Sequence, residues 1–259
     1  MLDKEYYKDY CDRYNAVWNW IKSNSIDRNK VVEEICEKRN YSVERMGKLL
    51  SEIGFSRLDT EVDIKIFAKK EFSDLGLYKD GKFLLESRYI FPVKDMLGNV
   101  VALIGWYKDE KKYITTPSAL FSKSGMFFGM EQLNKTGVNK RYFLVEGIFD
   151  SLSLRSLGYN AIAQMGIDTS LQKQVLYGLF RRVVAIPDSD GEGRKVISMD
   201  AWKIPVGSSY MKWSGTVPGR KNGLKDIDDL CNYYEKDVVI PLLNDTLCDD
   251  SRVVEYKLS

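Results

Sequence analysis

Tyr142-Phe143-Leu144-Val145-Glu146-Gly147-Ile148-Phe149-Asp150 is the segment on which the architecture turns. Four apolar residues in a row read as a strand covered on both faces, the pattern of a parallel sheet. Carboxylates begin where that strand stops. A second apolar run, Arg182-Val183-Val184-Ala185-Ile186-Pro187, delivers Asp188-Ser189-Asp190-Gly191. Pro187 has no N–H to give to a ladder, so pairing is expected to stop just before the acids. In an open α/β sheet the two strand ends would bring their acids to one crevice beyond the carboxyl edge. An all-oxygen set of this kind suits Mg²⁺ or Mn²⁺ better than zinc.

Between and beyond the two runs the chain alternates helix and strand signals. Leu152, Leu154 and Leu157 give a helix face that Gly158 can terminate, and Ala161-Ile162-Ala163-Gln164-Met165-Gly166 follows as a strand. Thr169 or Ser170 can cap a helix carrying Leu171, Val175, Leu176, Leu179 and Phe180. Gly191, Gly193, Arg194 and Lys195 open another helix through Val196, Ile197, Met199 and Trp202, and Tyr210-Met211-Lys212-Trp213 reads as a further strand. Successive strand-helix-strand units imply a mainly parallel sheet.

The set Val145-Glu146-Gly147 with Asp150, Gly158, the strand from Ala161 to Gly166, and Asp188-x-Asp190 with Gly193 resembles the Toprim domain of bacterial-type primases, topoisomerases and certain nucleases. Upstream, from Phe83, short runs split by Gly and Pro read as hairpins. Arg88-Tyr89-Ile90-Phe91-Pro92-Val93 is a strand, Asp95 to Asn99 a turn, and Val100 to Gly105 the return. Lys112-Tyr113-Ile114-Thr115-Thr116-Pro117, Phe121-Ser122-Lys123-Ser124 and Phe127-Phe128-Gly129-Met130 come next. This block is similar to the first half of the RNA-polymerase core of DnaG-type primases, and Lys225-Asp226-Ile227-Asp228-Asp229-Leu230 resembles the segment that closes their Toprim module. The resemblance covers about Glu86 to Leu230. It departs from the family at Tyr107, near where many relatives carry arginine, and at Gly191-Glu192-Gly193, where acid-Ala-Gly is commoner.

The resemblance implies an α/β fold (α+β overall): a mainly parallel Toprim sheet flanked by helices, preceded by a small mixed α+β primase-type subdomain. The expected divisions are a helical region over 1–82, a mixed β subdomain over 83–140, the Toprim domain over 141–232 and a helical tail over 233–259. In the first region Tyr6, Tyr10, Tyr14, Val17, Trp18 and Ile21 recur at helical spacing, either as a packed face or as an aromatic platform for stacking bases. Asp27 and Ser42 are expected to cap the next two helices, the second ending at Gly54.

With 259 residues and 44% hydrophobic content the chain can bury real cores. Its 39 basic and 37 acidic side chains leave a net charge of +2, so charge distribution rather than total charge must carry any nucleic-acid binding. Histidine is absent and the four cysteines, Cys11, Cys36, Cys231 and Cys248, form no C-x-x-C pair, which argues against zinc and excludes imidazole-based nucleophilic schemes. No signal-peptide pattern or spanning apolar run appears, so a cytoplasmic location, in a bacterial host if the chain is phage-encoded, is expected, with no membrane partner.

The function implied is that of a primase, a metal-dependent nucleotidyltransferase that makes short RNA primers from ribonucleoside triphosphates on single-stranded DNA. A Toprim nuclease, or a degenerate primase that only binds template or helicase, are the alternatives. Two divalent ions would activate the attacking hydroxyl and stabilise the leaving oxygen. Asp188 and Asp190, two apart in extended chain, point the same way, and the resemblance assigns them to metal. It assigns Glu146 to acid/base or metal work and leaves Asp226 as a further acidic position. Asp150, four after Glu146 and on its face if that turn is helical, can either ligate metal or bond the neighbouring loop. Asp228 and Asp229 read as an acidic first helical turn. Arg88, Lys112, Lys123, Arg194, Lys195, Lys212, Lys221 and Lys225 are the candidate contacts to template and triphosphate. Neither an amino-terminal zinc ribbon nor a long carboxyl-terminal helicase-binding domain is recognisable, so a replicative helicase or a separate zinc-ribbon protein is the expected partner.

Overall fold

The structure, a computed structural model, describes residues 3–59, 61–107, 113–118, 120–122, 125–133, 141–165, 174, 176–180, 182–215, 224–249 and 251–258. The chain divides into two compact units, Met1–Ser122 and Lys123–Ser259.

In the first unit three helices lead: α1 (Lys4–Ser23), α2 (Arg28–Arg39) and α3 (Val43–Ile53). Each start is fixed by a side chain that accepts an otherwise unpaired backbone N–H: Asp3 takes that of Glu5, Asp27 those of Asn29 and Lys30, and Ser42 that of Arg45. Gly54 ends α3 at φ 88°, a left-handed conformation that glycine adopts without strain. The aromatic stripe of α1 is a packing face: Tyr10, Tyr14, Val17, Trp18 and Ile21 are buried, and Tyr6 alone among them is exposed. A stacking platform for bases is therefore ruled out along most of its length.

A short helix α4 (Lys70–Ser73) precedes a two-stranded hairpin, β1 (Tyr78–Lys79) with β2 (Lys82–Phe83). Then comes an antiparallel sheet in the order β3 (Tyr89–Lys94), β4 (Val100–Trp106), β5 (Tyr113–Thr115). Asp95 makes the β3–β4 turn by accepting the N–H groups of Leu97 and Asn99, both at 2.8 Å, while Gly98 takes φ 87°. β4 is buried along its whole length, with α1 packed against it. The Tyr14 hydroxyl ties α1 to the segment after β5 by donating to the Pro117 carbonyl at 2.5 Å.

The second unit holds a five-stranded sheet in the order β10-β9-β8-β6-β7, every pair parallel. Its strands are β6 (Tyr142–Val145), β7 (Ala161–Ala163), β8 (Val183–Ile186), β9 (Ser209–Gly215) and β10 (Val253–Leu258). The helices are α5 (Ile148–Ser156), α6 (Gly191–Met199), α7 (Ile227–Tyr233) and α8 (Lys236–Cys248). β6, β7 and β8 are fully buried runs, as two-faced coverage by helices requires. The helix expected from Thr169 or Ser170 falls mostly outside the described residues.

One expectation is overturned. Residues 233–259 are not a helical tail: after α8 the chain returns as β10, parallel to β9 from Val253 opposite Tyr210 to Leu258 opposite Gly215. The segment Val253-Val254-Glu255-Tyr256-Lys257-Leu258 is rich in β-branched and aromatic residues, and an unpaired sheet edge gives it a partner that helix propensity could not outweigh.

Leu144 lies in β6 between β7 and β8 and is inaccessible to solvent. Leu144→Ala is expected to cost about 3 kcal/mol in urea unfolding. Val206→Ala, at a residue 98% exposed, is expected to stay within about 0.5 kcal/mol.

Candidate functional site

Register places the acids. Val145 of β6 pairs with Ile186 of β8, so Glu146 leaves one strand as Pro187 and Asp188 leave its neighbour. The backbone of Asp188 hydrogen-bonds the Glu146 carboxyl, and the Asp188 and Asp190 charges act on it. Backbone bonds from the end of β7 brace the same turn: Gln164 N–H donates to the Val145 carbonyl at 2.7 Å and Met165 N–H to the Glu146 carbonyl at 2.8 Å.

Glu146 is not on a helix with Asp150, since α5 begins at Ile148. Asp150 sits in the first turn of α5 and spends both oxygens on backbone: Oδ2 accepts Gly147 N–H at 3.0 Å and Oδ1 accepts Asp228 N–H at 3.1 Å. It thereby pins the start of α7 to the turn that carries Glu146. Gly147 has an extended φ of −100°, so backbone freedom is not why glycine stands there. A Cβ would lie 2.4 Å from Asp150 Oδ2, so the reason is space.

Asp226 caps α7 by accepting Asp229 N–H at 2.8 Å. Asp228 and Asp229 form the acidic first turn of α7. Asp228 is buried and accepts from the Ser153 hydroxyl, and Asp229 Oδ2 accepts Lys225 N–H at 3.1 Å. Ser189, between the two candidate ligands, donates its N–H to the Lys225 carbonyl at 2.7 Å and its hydroxyl to the Leu224 carbonyl at 2.6 Å. That brace was missed in the sequence. A serine in a turn is an ordinary sign of local bonding, and nothing nearby announces a partner 36 residues on.

Electrostatically the site is a partly desolvated group of acids with the Lys225 ammonium among them. Burial first, then the Asp188 and Asp190 charges, push Glu146 from its ordinary 4.5 up to about 7, opposed by Lys225 and the Asp188 backbone. Burial raises Asp226 to about 6, against the pull of the Asp229 N–H. Asp150, fully buried and near Asp226, Asp228 and Asp188, is raised well above the usual carboxylate range. Asp188 is raised by burial and held back by Lys225. Lys225 Nζ lies 2.8 Å from Asp188 Oδ2 and 3.7 Å from Asp190 Oδ2, and the bond to Asp188 chiefly raises its own pKa.

Glu146 Oε2 is buried with no hydrogen-bond partner, and the Asp188 and Asp190 charges act on the group. A set of carboxylate oxygens fits a hard divalent cation. Among the described residues, however, no three His, Cys, Asp or Glu side chains already converge as a coordination sphere.

Of the candidate basic residues, Lys225 is with the acids. Arg194 donates from Nε to the Ser189 carbonyl at 3.2 Å, at the start of α6, and Lys195 is exposed on the same helix. Lys212 pairs across β9–β10 with Glu255 at 3.2 Å. Arg88 belongs to the first unit, where its guanidinium lies 5.4 Å from the Tyr107 ring centroid and its Nη1 is buried without a partner. Lys112, Lys123 and Lys221 lie outside the described residues. No helix among those described is long and apolar enough to cross a membrane.

Comparison with known proteins gives the frame. A Toprim-like family model matches residues 143–231. The DNA primase of Deinococcus radiodurans is 29% identical over 142 residues, covering 52% of this chain and 25% of that protein. The DNA primase of Rickettsia prowazekii is 28% identical over 211 residues, 73% of this chain and 35% of its own length. The chain thus spans a quarter to about a third of these relatives. Among solved structures, a DnaG primase catalytic domain bound to single-stranded DNA superposes with a TM-score of 0.69 at 18% identity, covering 94% of this chain and 83% of that one. The zinc-binding and RNA-polymerase domains of Aquifex aeolicus primase give 0.66 at 22%, covering 95% and 62%. These likenesses extend the shared fold beyond the Toprim segment.

Two outcomes follow. Between the ordinary values of 4.5 and 3.8 and the folded values of about 7 and about 6 for Glu146 and Asp226, the native state holds more protons than the unfolded chain, so stability falls as pH rises. The melting temperature of metal-free protein should therefore drop from about pH 5 to about pH 8, and drop less in Glu146→Gln. Gly147→Ala should cost about 2 kcal/mol in denaturant unfolding, because its methyl must break the Asp150 bond to the backbone.

Proposed function

We propose, on the premise that this chain is of the DnaG primase type and carries a Toprim domain, that it joins ribonucleoside triphosphates into short RNA primers on single-stranded DNA, with Mg²⁺ or Mn²⁺ in its acidic centre. The observation that supports this reading is that Glu146 follows directly on β6 and Asp188 and Asp190 follow on its parallel neighbour β8, close enough for their charges to act on Glu146, within a fold shared along most of the chain with DnaG catalytic cores. A related catalytic domain binds single-stranded DNA, which supports the same class of template here.

Divalent ions would supply charge for the attacking and leaving oxygens of the transfer. The chain's own groups do the holding. Asp188 and Asp190 present carboxylate oxygens on the loop after β8, and Ser189 anchors that loop to Leu224 and Lys225. Glu146, at about 7, stands near the protonation midpoint at neutral pH, so its buried Oε2 can either face a cation or hold a proton. Asp150 is a brace for this turn rather than a ligand, because both its oxygens serve backbone N–H groups. The exposed Arg194 and Lys195, on the helix after the acids, are suited to anionic phosphate oxygens.

Purified protein with single-stranded template, the four ribonucleoside triphosphates and Mn²⁺ or Mg²⁺, with and without a replicative helicase, is expected to yield short oligoribonucleotides. Asp188→Asn and Glu146→Gln should each lower incorporation by about 100-fold or more with an unchanged circular-dichroism spectrum. Shortened DNA without nucleotide incorporation would point instead to nuclease chemistry, which shares the Toprim acids. Template binding that survives Asp188→Asn, with no synthesis under any condition, would mark a binding module.

A further inference from the structure

Lys225 occupies ground that a metal ion would need. Its ammonium is 2.8 Å from Asp188 Oδ2 and 3.7 Å from Asp190 Oδ2, and the Asp188 side chain keeps only 11% of its surface exposed. The backbone of Lys225 is fixed: its N–H donates to Asp229 Oδ2, and its carbonyl accepts from the N–H of Ser189. The side chain is not fixed in the same way. It is 54% exposed and ends a flexible four-carbon stem, so it can swing into water without disturbing the backbone bonds.

We infer that Lys225 is a resident cation that neutralises Asp188 and Asp190 before metal binds and must be expelled when a divalent ion arrives. The inference rests on the metal-centre reading above. A divalent ion takes oxygen ligands at about 2.0–2.6 Å, and an ammonium bonded to the same Oδ2 blocks that approach and repels the ion. Loading is therefore an exchange of one cation for another, with no change in covalent bonds. Lys225 is a positioning residue in this account: it holds the two aspartates close while the centre is empty and sets how tightly metal binds.

Mn²⁺ titration followed by electron paramagnetic resonance, without nucleotide or DNA, reads this directly. Lys225→Met and Lys225→Gln are expected to bind Mn²⁺ about tenfold more tightly than wild type, and Lys225→Arg, which keeps the charge, to stay near wild type. The rise in melting temperature on adding Mn²⁺ should be larger in Lys225→Met, because its metal-free form has lost the neutralising charge. Asp188→Asn is the control. If it abolishes binding while Lys225→Met and Lys225→Gln bind no better than wild type, the resident-cation inference is overturned and the metal centre stands. If wild type and Lys225→Met both lack a Mn²⁺ site, or Asp188→Asn leaves the site intact, the metal-centre reading fails and the inference fails with it. A site present in Lys225→Met but undetectable in wild type supports the inference.

Discussion

Parallel pairing of β6 with β8, with Val145 opposite Ile186, is the constraint from which the site follows. Both strands are continuous apolar runs, so alternation alone does not fix their register; the fit of individual side chains into the covering layers must do so. Both strands are buried on both faces, so the register is held by packing as well as by the ladder. Pro187 then ends the ladder with no donor to satisfy. Glu146 and Asp188 emerge side by side because the sheet leaves them no other exit.

Holding several carboxylates together in a partly dry place raises their energy, and the surroundings offset this with backbone N–H groups and one ammonium. Asp150 takes two N–H groups, Asp226 takes one, and Glu146 takes that of Asp188. These bonds also knit three sequence-distant pieces, the β6–α5 turn, the loop after β8 and the start of α7, into one surround. Glu146 Oε2 is the oxygen that this bonding leaves unserved. Its exposure to charge without a donor is what distinguishes a poised group from a structural one such as Asp150.

Much of this was legible in the sequence. The strands at 142–145 and 183–186 are short apolar runs bounded by acids and proline, and the caps at Asp27, Ser42 and Gly54 carry local signals that work over two to four residues. The aromatic spacing of α1 gave a helix but not its environment; burial decided that Tyr10 and Tyr14 are core. What could not be read were bonds between distant residues. Ser189 with Leu224, Ser153 with Asp228, and the seat of Lys225 between two aspartates depend on loop paths that no periodicity encodes. Glu146 and Asp150 would share a face only if the turn between them were helical, and that condition is not met because the helix starts two residues after Glu146. The strand at 253–258 was written plainly in β-branched residues, yet its neighbour lies about forty positions earlier, and a short polar tail after a helix suggested more helix.

The position of β10 has a consequence for biosynthesis. β9 has β8 on one side and β10 on the other, so until residues 253–258 leave the ribosome the row of N–H and C=O groups along Tyr210–Gly215 has no mate on that side. An unmatched row of this kind is a template for stray pairing with another nascent chain. The border of the sheet layer that frames the acids is thus the last part of it to be synthesised, and sealing the sheet waits on the final strand.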